Sequence, residues 1–231
     1  MMRIRGYLFW TVVLAVSAIV FSPAGTRAQY HEPFYKTPGH GRSGVVQDII
    51  DIHLVDNELI GIVQGRREYR QDLDLDEKIV WRAAMGAVGA VLTESRALAL
   101  SAASRGWSEL SLKLQEADSV ESIKPFISDY LVMLVTDRRI MGFDSHGRGW
   151  VQQSLPIREK IMESHINSYV AAVITSKRVF GWGRGRIGFT EEKLRRSETV
   201  QYVDTQPHTV TVGTDARVLV FKSGAGRWRE F

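Results

Sequence analysis

Arginines in glycine-rich turns are the plainest chemistry this chain offers. Four such turns occur: Ser104-Arg105-Gly106, Ser145-His146-Gly147-Arg148-Gly149, Gly183-Arg184-Gly185-Arg186 and Gly224-Ala225-Gly226-Arg227. A guanidinium stays charged, and its planar fork matches a carboxylate or a phosphate. Arg105, Arg148, Arg184, Arg186 and Arg227 therefore read as candidate anion contacts. His146 adds a titratable donor and Trp182 a stacking surface. Charged loops that vary on a rigid support are where binding sits. The expected partner is a protein with an acidic patch, or an anionic polysaccharide bearing carboxylate or sulfate.

A second set of arginines recurs at one fixed place. Thr93, Thr136, Thr175 and Thr214 are each followed three residues later by an arginine, namely Arg96, Arg139, Arg178 and Arg217. Fourteen residues after each threonine comes an aromatic: Trp107, Trp150, Phe189 and Trp228. The threonines are 43, 39 and 39 residues apart. Glu77, Glu159 and Glu198 each precede their threonine by 16 residues, and Glu121 precedes Thr136 by 15. An arginine matched to a glutamate in every unit implies a structural clamp rather than an anion-binding ring. The aromatics are expected to fill the wedge between twisted sheets. Stepping 38 residues back from Thr93 reaches Val55, with Glu58 and Tyr69 in the arginine and aromatic places, which makes a degenerate fifth copy.

Signals for catalysis are weak. Gly183-x-Gly185-x-x-Gly188 matches a dinucleotide fingerprint by letter, but it leads into a strand pattern, and the phosphate-cradling geometry needs a helix. There is no Gly-x-Ser-x-Gly, no His-Glu-x-x-His and no calcium loop. The histidines, His31, His40, His53, His146, His165 and His208, show no metal-ligand spacing. No catalytic residue, metal or cofactor is expected. The alternative class is an extracellular glycan hydrolase or lyase whose acids converge in a central channel.

The elements that must carry these residues are strands. β-Branched and aromatic segments such as Tyr169 to Ile174, Val179 to Trp182 and Phe189 to Leu194 alternate with glycine turns. About four antiparallel strands in each period of ~40 residues describe one propeller blade. Five units predict an all-β fold over residues 44–231, a five-bladed β-propeller of four-stranded blades. The chain resembles tachylectin-like propellers in architecture, without their sugar-binding signature, the GH and WD pairs of WD40 blades or the paired glycines of kelch. The Thr-x-x-Arg hairpin also resembles bacterial pleckstrin-like folds, but five evenly spaced copies favour the ring. The fifth unit ends at Phe231 after its third strand. Residues 44–49 are therefore expected to supply the missing strand and close the ring.

The N-terminus reads as an export signal. Arg3 and Arg5 precede an uncharged run from Tyr7 to Phe21, and Thr26-Arg27-Ala28 forms a small-residue cleavage site, with Ala24 as a second option. This predicts a signal peptide over residues 1–28, a Pro/Gly-containing linker over 29–43, and a periplasmic or secreted protein. Removing residues 1–28 leaves 27 basic residues against 26 acidic ones. That balance gives no general drive toward nucleic acid, and no stable membrane insertion is expected after cleavage. The chain has no cysteine, so it uses no disulfide.

Overall fold

Each repeated threonine closes a tight hairpin on itself. The Oγ1 of Thr93 accepts the backbone N–H of Arg96 at 3.0 Å, and Thr175 and Thr214 do the same for Arg178 and Arg217 at 2.9 Å. The hydroxyl takes the place of a backbone acceptor in the turn. Thr136 and Arg139 repeat the bond at 2.9 Å. The strands on either side are built from Val, Ile, Leu, Ala and Phe, residues that fit a sheet buried on both faces.

A computed structural model describes residues 48–64, 68–112 and 120–231, with the side chain of Glu121 excepted. The chain is all-β and built of propeller-type blades. The first sheet holds β1 (Ile50–Val55), β2 (Glu58–Val63) and β3 (Glu68–Asp72). The second holds β4 (Ile79–Met85), β5 (Val88–Thr93), β6 (Arg96–Ser101) and β7 (Ser108–Ser111). The third holds β8 (Lys124–Ile127), β9 (Leu131–Val135), β10 (Arg139–Asp144) and β11 (Val151–Ser154). The fourth holds β12 (Ile161–Ile166), β13 (Val170–Thr175), β14 (Arg178–Gly183) and β15 (Thr190–Lys193). The fifth holds β16 (Val200–Gln206), β17 (Thr209–Thr214), β18 (Val218–Lys222) and β19 (Trp228–Glu230). All pairings are antiparallel meanders in chain order.

The blades begin one strand earlier than the sequence suggests. The strand after each repeated glutamate opens its own blade instead of completing the preceding one. Val200–Gln206, for example, pairs with β17 through Val203↔Val212 and Thr205↔Val210. The fifth sheet therefore has four strands from its own segment, and no fourth strand is missing at Phe231. The expected closing strand is corrected accordingly. Residues 44–47 lie outside the described residues. Asp48 and Ile49 bond to Gly86 of the second blade, at 2.8 and 2.7 Å, and Ile49 also accepts the N–H of Gln64. The signal peptide and linker expected over residues 1–43 also lie outside the described residues.

Four core clusters hold the array together, one at each junction between successive sheets. Among the described residues no cluster joins the fifth sheet to the first. The central strands β5, β6, β9, β13 and β14 are buried on both faces, apart from half-buried Arg178 at the start of β14, whereas β2 and β17 bury one face and leave the other half-open. The junctions share a rule of small beneath large. Leu100 and Trp107 lie on Gly61, Trp182 lies on Gly142, and Phe221 lies on Gly181, where an added Cβ would come within 2.6 Å of the Phe221 ring. Ala99 and Phe143 occupy the equivalent places at the second junction and share its core. Each absent side chain admits a ring, which keeps the sheets at close-packed density.

The recurring aromatics add a second tie between sheets. Trp107 Nε1 donates to the carbonyl of Tyr69, Trp150 Nε1 to that of Ser108, and Trp228 Nε1 to that of Thr190, at 3.0, 3.2 and 3.1 Å. Phe189 keeps the place without a donor and packs on Trp182, with ring centroids 5.5 Å apart. Each indole thereby buries its ring while its N–H stays satisfied.

Candidate functional site

The two ends of the blades hold arginine in different ways. At the hairpin end, Arg96 bonds Glu77 through Nε and Nη2 at 3.0 and 2.8 Å, and Nη1 reaches Glu109 at 2.8 Å. Arg178 bonds Glu159 at 3.0 and 2.6 Å and also meets Glu191. Arg217 bonds Glu198 at 2.8 and 3.2 Å and Glu230 at 2.7 Å, and donates to the carbonyl of Lys193 in the preceding blade. The Glu77, Glu159 and Glu198 side chains retain 3%, 1% and 1% of their exposure, so these ion pairs are shielded from solvent. Burial pushes these carboxyls upward, but the guanidinium and the threonine hydroxyl outweigh it. Glu77 and Glu198 are held at about 2, and Glu159 is also lowered. Arg139 begins β10 at the same place, while the Glu121 side chain lies outside the described residues. Every guanidinium nitrogen of Arg96, Arg178 and Arg217 is bonded to its own protein.

The glycine-turn end is different. Tyr130, Tyr169 and His208 each precede the second strand of their blade, and their rings form a ladder across three sheets. Centroids are 4.6 Å apart for Tyr130 and Tyr169, and 4.1 Å for Tyr169 and His208. Arg184 lies over this ladder, with its Cζ 4.4 Å from the Tyr130 centroid. Its Nε donates to Ser145 Oγ at 2.6 Å, and its backbone N–H is fixed by the Tyr169 carbonyl at 3.0 Å. Among the described residues Arg184 pairs with no carboxylate. Cation–π contact and the serine bond hold it in place, and its terminal nitrogens make no hydrogen bond among the described residues.

Asp144 ties the neighbouring turns together. Its carboxylate accepts the N–H of His146 at 2.9 Å and the N–H of Gly185 from the next blade, and the His146 ring lies 3.4 Å away. Gly185 needs its positive φ of 80° here, and a Cβ would meet His146 at 3.2 Å. The structure thus brings His146 and Arg184 to one place. Arg186 crosses to the fifth blade and donates to the Gly224 carbonyl. Arg105, Arg148 and Arg227 are exposed on their own turns and make no hydrogen bond or ion pair among the described residues. Tyr130 is raised above its ordinary value, mainly by its hydroxyl neighbour Tyr169 and then by burial, so it stays a neutral donor near pH 7. Of the carboxylates at this end, Asp48 and Asp129 are already hydrogen-bonded, to the Gly86 N–H and the Ser168 hydroxyl.

No protein-family model matches the chain, and no curated protein matches it. Its shape is similar to that of several solved structures at low identity. One is yeast RCC1 (Prp20) with Kap60 bound, at 10% identity over 74% of this chain and 53% of that one, with a TM-score of 0.38. Another is the WD40 domain of SCAP from fission yeast, at 12% identity over 80% and 55%, with a TM-score of 0.35. A third is YCF48 bound to a D1 peptide, at 13% identity over 80% and 81%, with a TM-score of 0.29. This chain spans about half the length of the RCC1 and SCAP chains it matches.

One expected contact is corrected. Trp182 is 1% exposed, lodged on Gly142 with its Nε1 donating to the Arg186 carbonyl at 3.3 Å, so it cannot stack on a ligand from solvent. It is also not unique, because Leu100, Phe143 and Phe221 hold the same place in other blades. The aromatic ladder is what reading the sequence missed. Its signal was present: Tyr130, Tyr169 and His208 each lie six residues before a repeated threonine. Away from this end, a groove of about 260 Å³ runs between the third and fourth sheets, lined by Phe126, Thr136, Met162 and His165 among others. None of the turn arginines reaches it. Among the described residues no cluster of three or more metal-ligating side chains occurs, and no helix is long and apolar enough to cross a membrane.

Proposed function

We infer that this is an exported, non-catalytic binding protein that recognises an acidic segment of a protein partner through the glycine-turn end of its blades. The observation that carries this reading is Arg184. It is immobilised on Tyr130 and Ser145 with no carboxylate partner among the described residues, whereas Arg96, Arg178 and Arg217 are each paired with two or more glutamates. A pre-positioned guanidinium with free terminal donors binds a carboxylate bidentately and with little loss of rotamer freedom. Arg105, Arg148, Arg186 and Arg227 lie on turns at the same end of their blades and add like charge there, which favours encounter with an anionic chain. Tyr130, Tyr169 and His208 offer a row of stacked ring edges beside it, which an aromatic or aliphatic residue of a peptide would pack against. The leader-like residues 1–28 support export to the periplasm or the medium.

Binding of a fluorescent poly-glutamate peptide, followed by anisotropy at low and moderate salt, tests the reading. The expected result is salt-sensitive binding that Arg184→Ala weakens by about tenfold or more, corresponding to about 1.4 kcal/mol or more. Alginate and heparan sulfate serve as parallel probes. Binding to these alone would move the assignment to an anionic glycan, and binding to none would reject an acidic ligand.

A further inference from the structure

Among the described residues, core clusters cover the sheet faces at the four internal junctions, and one face of the first sheet and one of the fifth have no such cluster. Leu98 and Leu100 of the second sheet are fully buried under the first sheet. Ile60 and Ile62 hold the same places in the first sheet and are only half-buried. Val179 of the fourth sheet is fully buried under the fifth, while its counterpart Val218 is half-open. Alternation along the strands sets these faces apart. Ile50, Leu59 and Val63 point into the first core and Val210, Val212 and Leu219 into the last, so the residues between them point outward.

The two outward faces carry opposite charge. On the first sheet, Asp51, Glu58, Glu68 and Asp72 surround a single cation, Arg70, which pairs with Glu58 and Glu68 at 2.7 and 3.3 Å. On the fifth sheet, Lys222 and Arg229 stand against one carboxylate, Asp204. Each face has an apolar stripe at its centre, Ile60 and Ile62 on one and Val218 and Val220 on the other. An apolar centre with a charged rim is the anatomy of a protein–protein interface.

We propose that these faces dock on each other between two copies of this chain, the fifth sheet of one copy covering the first sheet of the next. The junctions inside the chain fix the register. At each one a small residue lies beneath a large residue of the following blade: Gly61 under Leu100, Gly142 under Trp182, Gly181 under Phe221. Val220 holds the small place in the fifth sheet and Ile62 the large place in the first. One further step of the same kind sets Val220 against Ile62 of the second copy. It also brings Lys222 and Arg229 toward the acidic rim. Two medium side chains in place of glycine and a ring make this junction less interlocked than the four within the chain, so it is reversible and salt-sensitive. The contact is head-to-tail, and it closes into a ring of copies or extends as a filament according to its rotation.

The absence of cysteine makes the test clean. Val220→Cys and Ile62→Cys are prepared as separate proteins, mixed, and treated with a short bismaleimide. The mixture is expected to give a covalent dimer in about tenfold excess over either variant alone. No excess would overturn the docking. The double variant Val220→Cys/Ile62→Cys at high dilution separates the two possible partners. Loss of cross-linking on dilution supports a second copy, and a monomer cross-linked within itself overturns it in favour of closure of one chain. Sedimentation of the unmodified protein gives a reading without labels. Lys222→Glu/Arg229→Glu is expected to weaken self-association by about tenfold, and a monomer at every concentration of unmodified protein would overturn the proposal.

Discussion

The two ends of the blades use the same side chain for opposite purposes. At the hairpin end arginine is enclosed, and Arg217 spends its donors on Glu198, Glu230 and a carbonyl with 6% of its side chain exposed. At the glycine-turn end Arg184 is held from behind by a ring and a hydroxyl and keeps its fork for something else. The difference lies in what each backbone geometry brings close. The Thr-x-x-Arg hairpin places a glutamate from the blade's own entry loop beside the guanidinium, so the charge is neutralised locally. The turn that carries Arg184 places Tyr130 of the neighbouring blade there, so that charge is supported but not cancelled. Residue type alone does not reveal which arginine is structural.

Three measurements sharpen this contrast, beginning with the largest effect. Arg217→Ala is expected to cost about 3–5 kcal/mol, because Glu198 would be left buried and unpaired, and the urea midpoint would register it. A midpoint shift no larger than that of an exposed arginine would erase the distinction between the ends. Acid titration follows. Glu77 and Glu198 are lowered from 4.5 to about 2 in the folded protein. Their contribution to stability is complete above the ordinary glutamate value and is lost as pH falls through about 2. The melting temperature should therefore decline between those limits, and Glu198→Gln, less stable at neutral pH, should flatten part of that decline. The smallest change in stability is expected from Arg184→Ala, about 1 kcal/mol or less, the scale of an exposed cation–π contact. Its cost appears in binding instead, and a melting temperature as low as that of Arg217→Ala would make Arg184 structural.

The repeat was legible in the sequence because the clamp depends on atoms, not on average character. Threonine, arginine and glutamate must each be present to make it, so they recur letter for letter. The phase of the repeat was less legible. A period states the distance between copies but not where a sheet begins, and strands such as Val200–Gln206 fit the end of one unit as well as the start of the next. Trp182 misled for a related reason. Its place is filled by Leu100, Phe143 and Phe221 elsewhere, and a position defined by volume hides behind changing letters. The ladder was obscured because its members are two tyrosines and a histidine, and the second blade has Ala87 in that place.

The rule of small beneath large has a consequence for how the molecule assembles. A chain of near-copies risks docking a newly formed blade on the wrong neighbour, the characteristic failure of repeat proteins. Hairpins clamped alike give no protection, since any one resembles the others. The knobs differ in part: Leu100, Trp182 and two phenylalanines, Phe143 and Phe221, lie over Gly61, Gly142, Ala99 and Gly181 respectively. An indole that fits the hollow at Gly142 overfills the space above Ala99, and a leucine leaves it part-empty. The sizes therefore weigh against some misplaced dockings, those that put the indole of Trp182 over Ala99 or the leucine over a hollow built for a ring.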